Sequence, residues 1–189
     1  MTLPSLRSTI MPFMALAAVA YLVVMVASGA RPQRTHFIEF EARGVMAQRN
    51  ETIVRVNVTS GGTTQTFMRQ GTTWVRPGKP NPVDPALGKS IDLAVQFMHT
   101  AAPVRMFKPD EVGKDAISEF GLARPELSIR LDDASGFVLE AQFGDLSRDG
   151  MLHYMRARGR NLRGKTSRTY YLMSRFVLQE WRKIAKAGP

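Results

Sequence analysis

Residues 126–143 read ELSIRLDDASGFVLEAQF. Two β-rich runs, 126–131 and 136–143, flank the turn signal DDAS at 132–135, so this stretch predicts a β-hairpin. A second pair of strands is predicted directly after it, at 151–158 and 168–173. Because the four runs follow one another with short connections, they predict an antiparallel β-meander in the last third of the chain.

Outward from the meander, helices and further strands are predicted on both sides. Ser174 is placed to cap a terminal helix that has Val177, Trp181 and Ile184 on one face. Upstream, Asp84 is a good N-cap, and Pro85 suits the first turn of a helix. The remaining predictions are strands at 35–41, 52–58, 64–69, 72–76 and 104–107, and a second helix at about 110–120. The order predicts an α+β fold with a largely antiparallel sheet and two to three helices.

The amino-terminal segment carries no charged side chain over 23 residues, 8–30, which read STIMPFMALAAVAYLVVMVASGA. A helix needs about 20 apolar residues to cross the hydrocarbon core, so the segment predicts a single transmembrane helix. The alternative is a cleaved signal peptide, because Ser28-Gly29-Ala30 resembles a small-residue cleavage site. The predicted membrane-anchor side chains are Phe13, Leu16, Val19, Tyr21, Leu22, Val23, Val24 and Val26.

The apolar segment therefore predicts a membrane anchor at 1–30, and the rest of the chain predicts an extracytoplasmic α+β domain at 31–189. Long domains that follow a signal-anchor are translocated largely regardless of their charge. We therefore expect a single-pass protein of the bacterial inner membrane, with its carboxy-terminal domain in the periplasm. We expect residues 8–30 to remain on the mature protein, because the apolar stretch is longer than a typical signal-peptide core of about 7–15 residues.

Composition and motifs give no indication of a catalytic centre. The chain has no cysteine, which excludes disulfides, thiol catalysis and cysteine-ligated metals. The three histidines, His36, His99 and His153, show no metal-ligand spacing, and no G-x-S-x-G elbow is present. We therefore expect no catalytic, cofactor-binding or metal-binding residues, and we do not expect an enzyme.

Positive charge is concentrated at the carboxy-terminal end. The chain has a formal net charge of +10, and residues 151–189 hold ten basic side chains against the single acid Glu180. Such an asymmetry favours an anionic partner, either lipid headgroups or an acidic protein surface, and the alternative is a solvated basic surface. Nucleic acid is not expected for a domain outside the cytoplasm. The predicted partner-binding residues form a basic tract of Arg156, Arg158, Arg160, Arg163, Lys165 and Arg168.

The loop inside this tract matches the pattern of a phosphate-binding loop. Residues 159–166 read GRNLRGKT, with Gly, four residues, Gly, Lys and Thr. A working loop of this kind opens a helix, whose amino terminus holds the phosphates. Here the next residues predict a strand, so the match indicates a hairpin loop and we expect no nucleotide binding.

Several short motifs occur in an order that resembles a known family. They are Thr73–Pro77 followed by Asp84, then EFGLARPELSI at 119–129, FGD at 143–145, HYMRA at 153–157 and YYLMS at 170–174. Together they resemble the bacterial membrane-anchored family catalogued as domain of unknown function 4340, over about residues 70–185. The basic loop at 159–166 departs from that family, which has a shorter connection there. The resemblance implies an anchored extracytoplasmic domain, sometimes encoded beside membrane transport systems, and it implies no catalytic residues.

These observations predict a non-catalytic accessory or assembly subunit of a membrane protein complex, which docks on partner subunits and contacts the lipid bilayer. Two alternatives remain. One is a periplasmic binding module for an anionic ligand, such as a lipid headgroup or a cell-wall polymer. The other is an auxiliary component of a membrane transport system.

Overall fold

The computed structural model describes residues 6–29, 42–107, 111–113, 115–160, 162 and 168–188. The chain divides into two compact units, Met1–Glu41 and Ala42–Pro189. The second unit combines a large antiparallel sheet with helices, so the predicted α+β class is confirmed. The predicted strand at 35–41 lies outside the described residues.

The first unit contains helix α1, Leu6–Gly29, with Pro12 inside it. The helix itself was predicted, and the eight predicted anchor side chains are between 59% and 73% exposed. Among the helices that the structure describes, however, none is both long enough and apolar enough to cross a membrane. This finding corrects the prediction of a single transmembrane helix at 8–30.

The second unit holds eight strands and three helices in the residues that the structure describes. The amino-terminal half contains a short 3-10 turn at Asn50–Thr52, then β1 Ile53–Ser60, β2 Thr63–Gln70, β3 Thr73–Val75, α2 Pro85–Thr100, β4 Arg105–Phe107 and α3 Ala116–Glu119. The carboxy-terminal half contains β5 Leu127–Asp133, β6 Gly136–Leu146, β7 Leu152–Gly159, β8 Arg168–Ser174 and α4 Arg175–Lys186. The predicted meander is thus confirmed as β5 to β8.

All eight strands form one sheet in the order β3-β2-β1-β5-β6-β7-β8-β4, and every neighbouring pair is antiparallel. The meander occupies one half of the sheet, and the earlier strands extend it on both sides. Irregularities in the register occur in β1, β5 and β6. A bulge reverses the inward and outward alternation locally, so the register beyond it depends on where the bulge falls.

Helices α2 and α4 cover one face of the sheet and supply its core. Their buried residues Ile91, Met98, Leu178 and Trp181 join the inward-facing strand residues in a single apolar cluster. The predicted cap of α2 is confirmed, because Oδ1 of Asp84 accepts a hydrogen bond from the Ala86 amide at 2.8 Å. Ser174 occupies the N-cap position of α4 as predicted, but its side chain makes no capping hydrogen bond.

Helix α3 is shorter than the predicted helix at 110–120, since it covers only Ala116–Glu119. Gly113, a poor helix former, lies just before it. At the other end Gly121 adopts φ 68°, a left-handed conformation that ends the helix. The single helical turn that remains places Phe120 against Tyr154 of the sheet.

Candidate functional site

On the other face of the sheet, no helix of the described residues covers Glu140, Gln142, Arg156 and Arg158 of the central strands. Side chains alternate between the two faces of a strand, and Ala141, Phe143, Met155 and Ala157 point into the core beneath α2 and α4. The residues between them point the other way. We call this side of β5 to β7 the open face, with its polar residues Arg130, Glu140, Gln142, Arg156 and Arg158. The last four line a shallow polar cavity of about 180 Å³.

The first cross-strand pair of the open face is an ion pair. Arg158 on β7 lies opposite Glu140 on β6, and its Nε and a terminal nitrogen both donate to Oε2 of Glu140, at 3.0 and 2.6 Å. On its other side Glu140 lies opposite Arg130, whose Nε donates to Oδ1 of Asp132 at 3.0 Å. Each of these two arginines therefore has a carboxylate partner within the domain.

The second cross-strand pair has a different chemistry. Arg156 lies opposite Gln142, and both its Nε, at 3.0 Å, and a terminal nitrogen donate to Oε1 of that side chain. The acceptor is a neutral amide, so the pair keeps the full charge of the guanidinium. Across the sheet this row reads Thr59, Ser128, Gln142, Arg156, Tyr170 and Phe107. Of these six residues only Arg156 is charged.

An aromatic cluster borders Arg156 at the β4 end of the open face. It consists of Phe107, Phe120, Tyr154 and Tyr170. The rings of Phe120 and Tyr154 are stacked with centroids 4.1 Å apart, and the centroid of Phe107 lies 5.5 Å from that of Phe120. Tyr170 is the cross-strand neighbour of Arg156, and Tyr154 lies two residues before it on the same face. The Arg156 side chain therefore has the aromatic cluster on one side and the Arg158–Glu140 pair on the other.

The basic tract is divided by the fold. Arg156 and Arg158 lie on the open face, whereas Arg160 follows β7 and donates to Oδ2 of Asp133 at 2.8 Å. Arg168 begins β8 and lies opposite Arg158 in the register. Arg163 and Lys165 fall outside the described residues. A strand does follow the GRNLRGKT loop, as the sequence predicts, and the docking role of the tract stays a prediction.

The two histidines that the structure describes lie on different elements. His99 lies on α2, where its Nδ1 is 3.1 Å from the carbonyl oxygen of Met46, and His153 is buried in β7. His36 falls outside the described residues. Within the described ranges no group of three or more His, Cys, Asp and Glu side chains is placed to hold a metal ion.

His153 is 2% exposed, and its Nδ1 lies 3.2 Å from the carbonyl oxygen of Gly144. Its Nε2 has no hydrogen-bond partner among the described residues. Burial away from water lowers the pKa of His153 below its ordinary value of 6.5, against an opposing contribution from the Gly144 carbonyl. The neutral ring is therefore favoured in the folded state.

Glu140 and Gln142 did not emerge from the sequence as site residues. Their types are ordinary for exposed strand positions, and only the cross-strand register places them beside the two arginines. The available signal was the alternation within 136–143, which puts both residues on one face. It does not tell which residues of β7 they meet.

Two of the segments that suggested a family, 119–129 and 143–145, contact each other. The Asp145 amide donates to the Phe120 carbonyl at 2.9 Å, and a Cβ on Gly144 would collide with that same carbonyl oxygen. This contact explains the two glycine-containing motifs structurally, without a ligand. No family model, curated protein or solved structure matches this chain, so the resemblance to the domain of unknown function stays a prediction.

Proposed function

We propose that this chain is a non-catalytic accessory or assembly subunit of a bacterial membrane protein complex, and that its α+β unit docks on partner subunits through the open face. The observation that supports it is the character of that face. It is a polar sheet surface with a cavity whose four lining side chains include two arginines of the basic tract. Side chains held in cross-strand pairs are pre-organised, so they lose less freedom when a partner binds.

Helix α1 gives separate support for a place in an assembly. Its apolar side chains, such as Phe13 at 73% and Leu16 at 71%, are exposed in the described structure. Contiguous exposed apolar surface marks a site of protein–protein or membrane interaction. We place the complex at the inner membrane and the α+β unit on the periplasmic side, in keeping with the family resemblance.

The second candidate function is a binding module for an anionic ligand. It is favoured by the same cavity, because the charge of Arg156 is not neutralised by Gln142. A volume of about 180 Å³ is below the roughly 300–1,000 Å³ of typical small-molecule sites, so it suits one functional group better than a whole cofactor.

The test is native purification from bacterial membranes in mild detergent, with identification of co-purifying chains at low and high salt. A triple variant, Arg158→Gln, Arg160→Gln and Arg163→Gln, should reduce recovery of a partner, and high salt should do the same. A triple change on the covering helices, Lys89→Gln, Lys183→Gln and Lys186→Gln, removes equal charge and is the matched control. Failure of any chain to co-purify stoichiometrically with the wild type would rule out the accessory-subunit function.

A further inference from the structure

Arg156 differs from the other arginines near it, because the described hydrogen bonds of its guanidinium go to a neutral partner. Arg130, Arg158 and Arg160 donate to Asp132, Glu140 and Asp133, respectively. Arg156 donates from two nitrogens to the amide oxygen of Gln142 instead. Among the described arginines of β5 to β7, Arg156 therefore keeps a positive charge that is not offset by a carboxylate hydrogen-bonded to it.

We propose that the Arg156–Gln142 pair binds a carboxylate that belongs to an acidic segment of the partner protein. This proposal deepens the docking function given above and rests on it. Gln142 uses its oxygen for Arg156, which leaves its NH₂ group to donate. The guanidinium, with five N–H groups, keeps donors beyond those directed at Gln142. Charge-assisted hydrogen bonds from these donors to a carboxylate are about twice as strong as neutral ones.

The surroundings favour a single carboxylate over a lipid surface or phosphate. Glu140 already neutralises Arg158, so the pair at Arg156 and Gln142 offers one positive charge, which matches a monoanion better than a dianion. A flat anionic membrane would also bring its charges against Glu140 and Asp133, whose ion pairs with Arg158 and Arg160 leave no excess positive charge. A peptide can place one acidic side chain at Arg156 and an apolar neighbour against the Phe120–Tyr154 stack, while it leaves the acidic positions uncontacted.

The decisive variant is Gln142→Glu, which supplies the carboxylate from within the domain. The new side chain would neutralise Arg156 across the strands and repel an external carboxylate, without removing any arginine. If Arg156 is only a structural residue, this variant is harmless to binding. If the proposal holds, it weakens binding about tenfold in a protein that is at least as stable as the wild type.

The experiment uses the purified full chain in mild detergent and a short fluorescein-labelled peptide of alternating Glu and Gly, followed by fluorescence anisotropy. We expect saturable binding that is about tenfold weaker in Arg156→Gln and in Gln142→Glu. The Gln-Gly version of the peptide should not bind, and Lys183→Gln, which removes an exposed charge on α4, should bind as the wild type does. NMR signals of the Arg156 side-chain Nε–H should shift on titration.

Two other probes separate the sources of negative charge. The first probe is a vesicle of phosphatidylglycerol and phosphatidylcholine, and the second is inorganic phosphate. The proposal is overturned if either probe binds in an Arg156-dependent manner while the Glu peptide does not bind. Absence of peptide binding, or equal binding by Gln142→Glu, would also overturn it. If the peptide fails to bind but a partner co-purifies, the docking function survives alone. Peptide binding without any co-purifying chain would contradict the docking function instead.

Discussion

Nε of Arg156 donates to Oε1 of Gln142 at 3.0 Å, whereas the next arginine on the same strand, Arg158, donates to a carboxylate of Glu140 at the same distance. The two cross-strand pairs are neighbours on β6 and β7 and differ in one functional group of the acceptor. That group decides the electrostatics of the face, because a carboxylate cancels the charge of its arginine and an amide does not.

The same pair gives a prediction about stability. Gln142→Glu should raise the free energy of unfolding by about 0.2–1 kcal/mol at neutral pH, since opposite charges directly across two strands attract. High salt should reduce the gain because the pair is partly exposed. Denaturant unfolding of the two proteins at low and high salt measures it. A gain that is identical at both salt concentrations would argue against an electrostatic cause.

Gly44 is expected to tolerate no side chain. Its amide donates to the His99 carbonyl at 2.8 Å and Met46 donates to Met98 at 2.9 Å, so this segment satisfies carbonyls at the end of α2. A Cβ on Gly44 would collide with the backbone of His99. Gly44→Ala should therefore destabilise the domain by about 1–3 kcal/mol. Thermal unfolding checks it.

The control for that substitution is Gly113→Ala. An added Cβ at Gly113 meets no atom within 4 Å. Its effect should stay within about 0.5 kcal/mol, as for other open surface positions. Equal melting temperatures for the two variants would show that the contact between Gly44 and α2 is unimportant.

Asp92 is expected to stabilise the join between α2 and the sheet. Its Oδ1 accepts from Nε1 of Trp74 at 3.0 Å and from Arg69 at 2.7 Å, and the Arg69 guanidinium lies 4.3 Å from the centroid of the Trp74 ring. Trp74 is 1% exposed, so Asp92→Ala leaves its N–H buried without this acceptor. The expected loss is about 1–3 kcal/mol.

Asp92→Asn is the matched variant, because its amide oxygen can still accept from Trp74 while the carboxylate charge is removed and the second oxygen becomes an NH₂ group. We expect a loss smaller than that of Asp92→Ala in denaturant unfolding. If the alanine variant is no less stable than the asparagine variant, the hydrogen bond to Trp74 contributes nothing.

His153 predicts a pH dependence of stability in the mildly acidic range. Its pKa in the folded protein is lowered by burial, so between that pKa and 6.5 the unfolded chain binds more protons than the folded one. The contribution of His153 is thus fully present above pH 6.5 and is lost as the pH falls through this window. The positive charges of Arg182 and Arg175 lower the pKa of His153 further, and the negative charge of Glu126 raises it.

The free energy of unfolding should be measured for the wild type and for His153→Gln from about pH 7.5 down to about pH 5. A histidine changes its protonation within this range. The difference between their free energies of unfolding should change with pH in favour of the variant as the pH falls. Parallel curves would show that another group carries the dependence. Glu126 acts at lower pH, because its hydrogen bond from Arg182 lowers its pKa below 4.5.

The sequence by itself determined the elements of this domain. Alternation and turn residues placed the strands of the meander, and Asp84 and Pro85 placed the start of α2, because these signals depend only on neighbouring residues. The sequence-based prediction of a helix at 110–120 was too long. Gly113 and the packing of Phe120 on Tyr154 leave only the single turn of α3. The sequence also predicted a transmembrane helix from uncharged length alone, which the described helices do not bear out.

Only the tertiary structure decided which side chains meet. The strand period is two, so a slip of one residue between β6 and β7 would move Arg156 and Arg158 to the other face. The observed register, with its irregularity between Phe143 and Leu146, sets Gln142 opposite Arg156 and Glu140 opposite Arg158. Composition showed that the chain's end is basic, but the distribution of charge on the open face depends on cross-strand partners that lie 14 and 18 residues away in sequence.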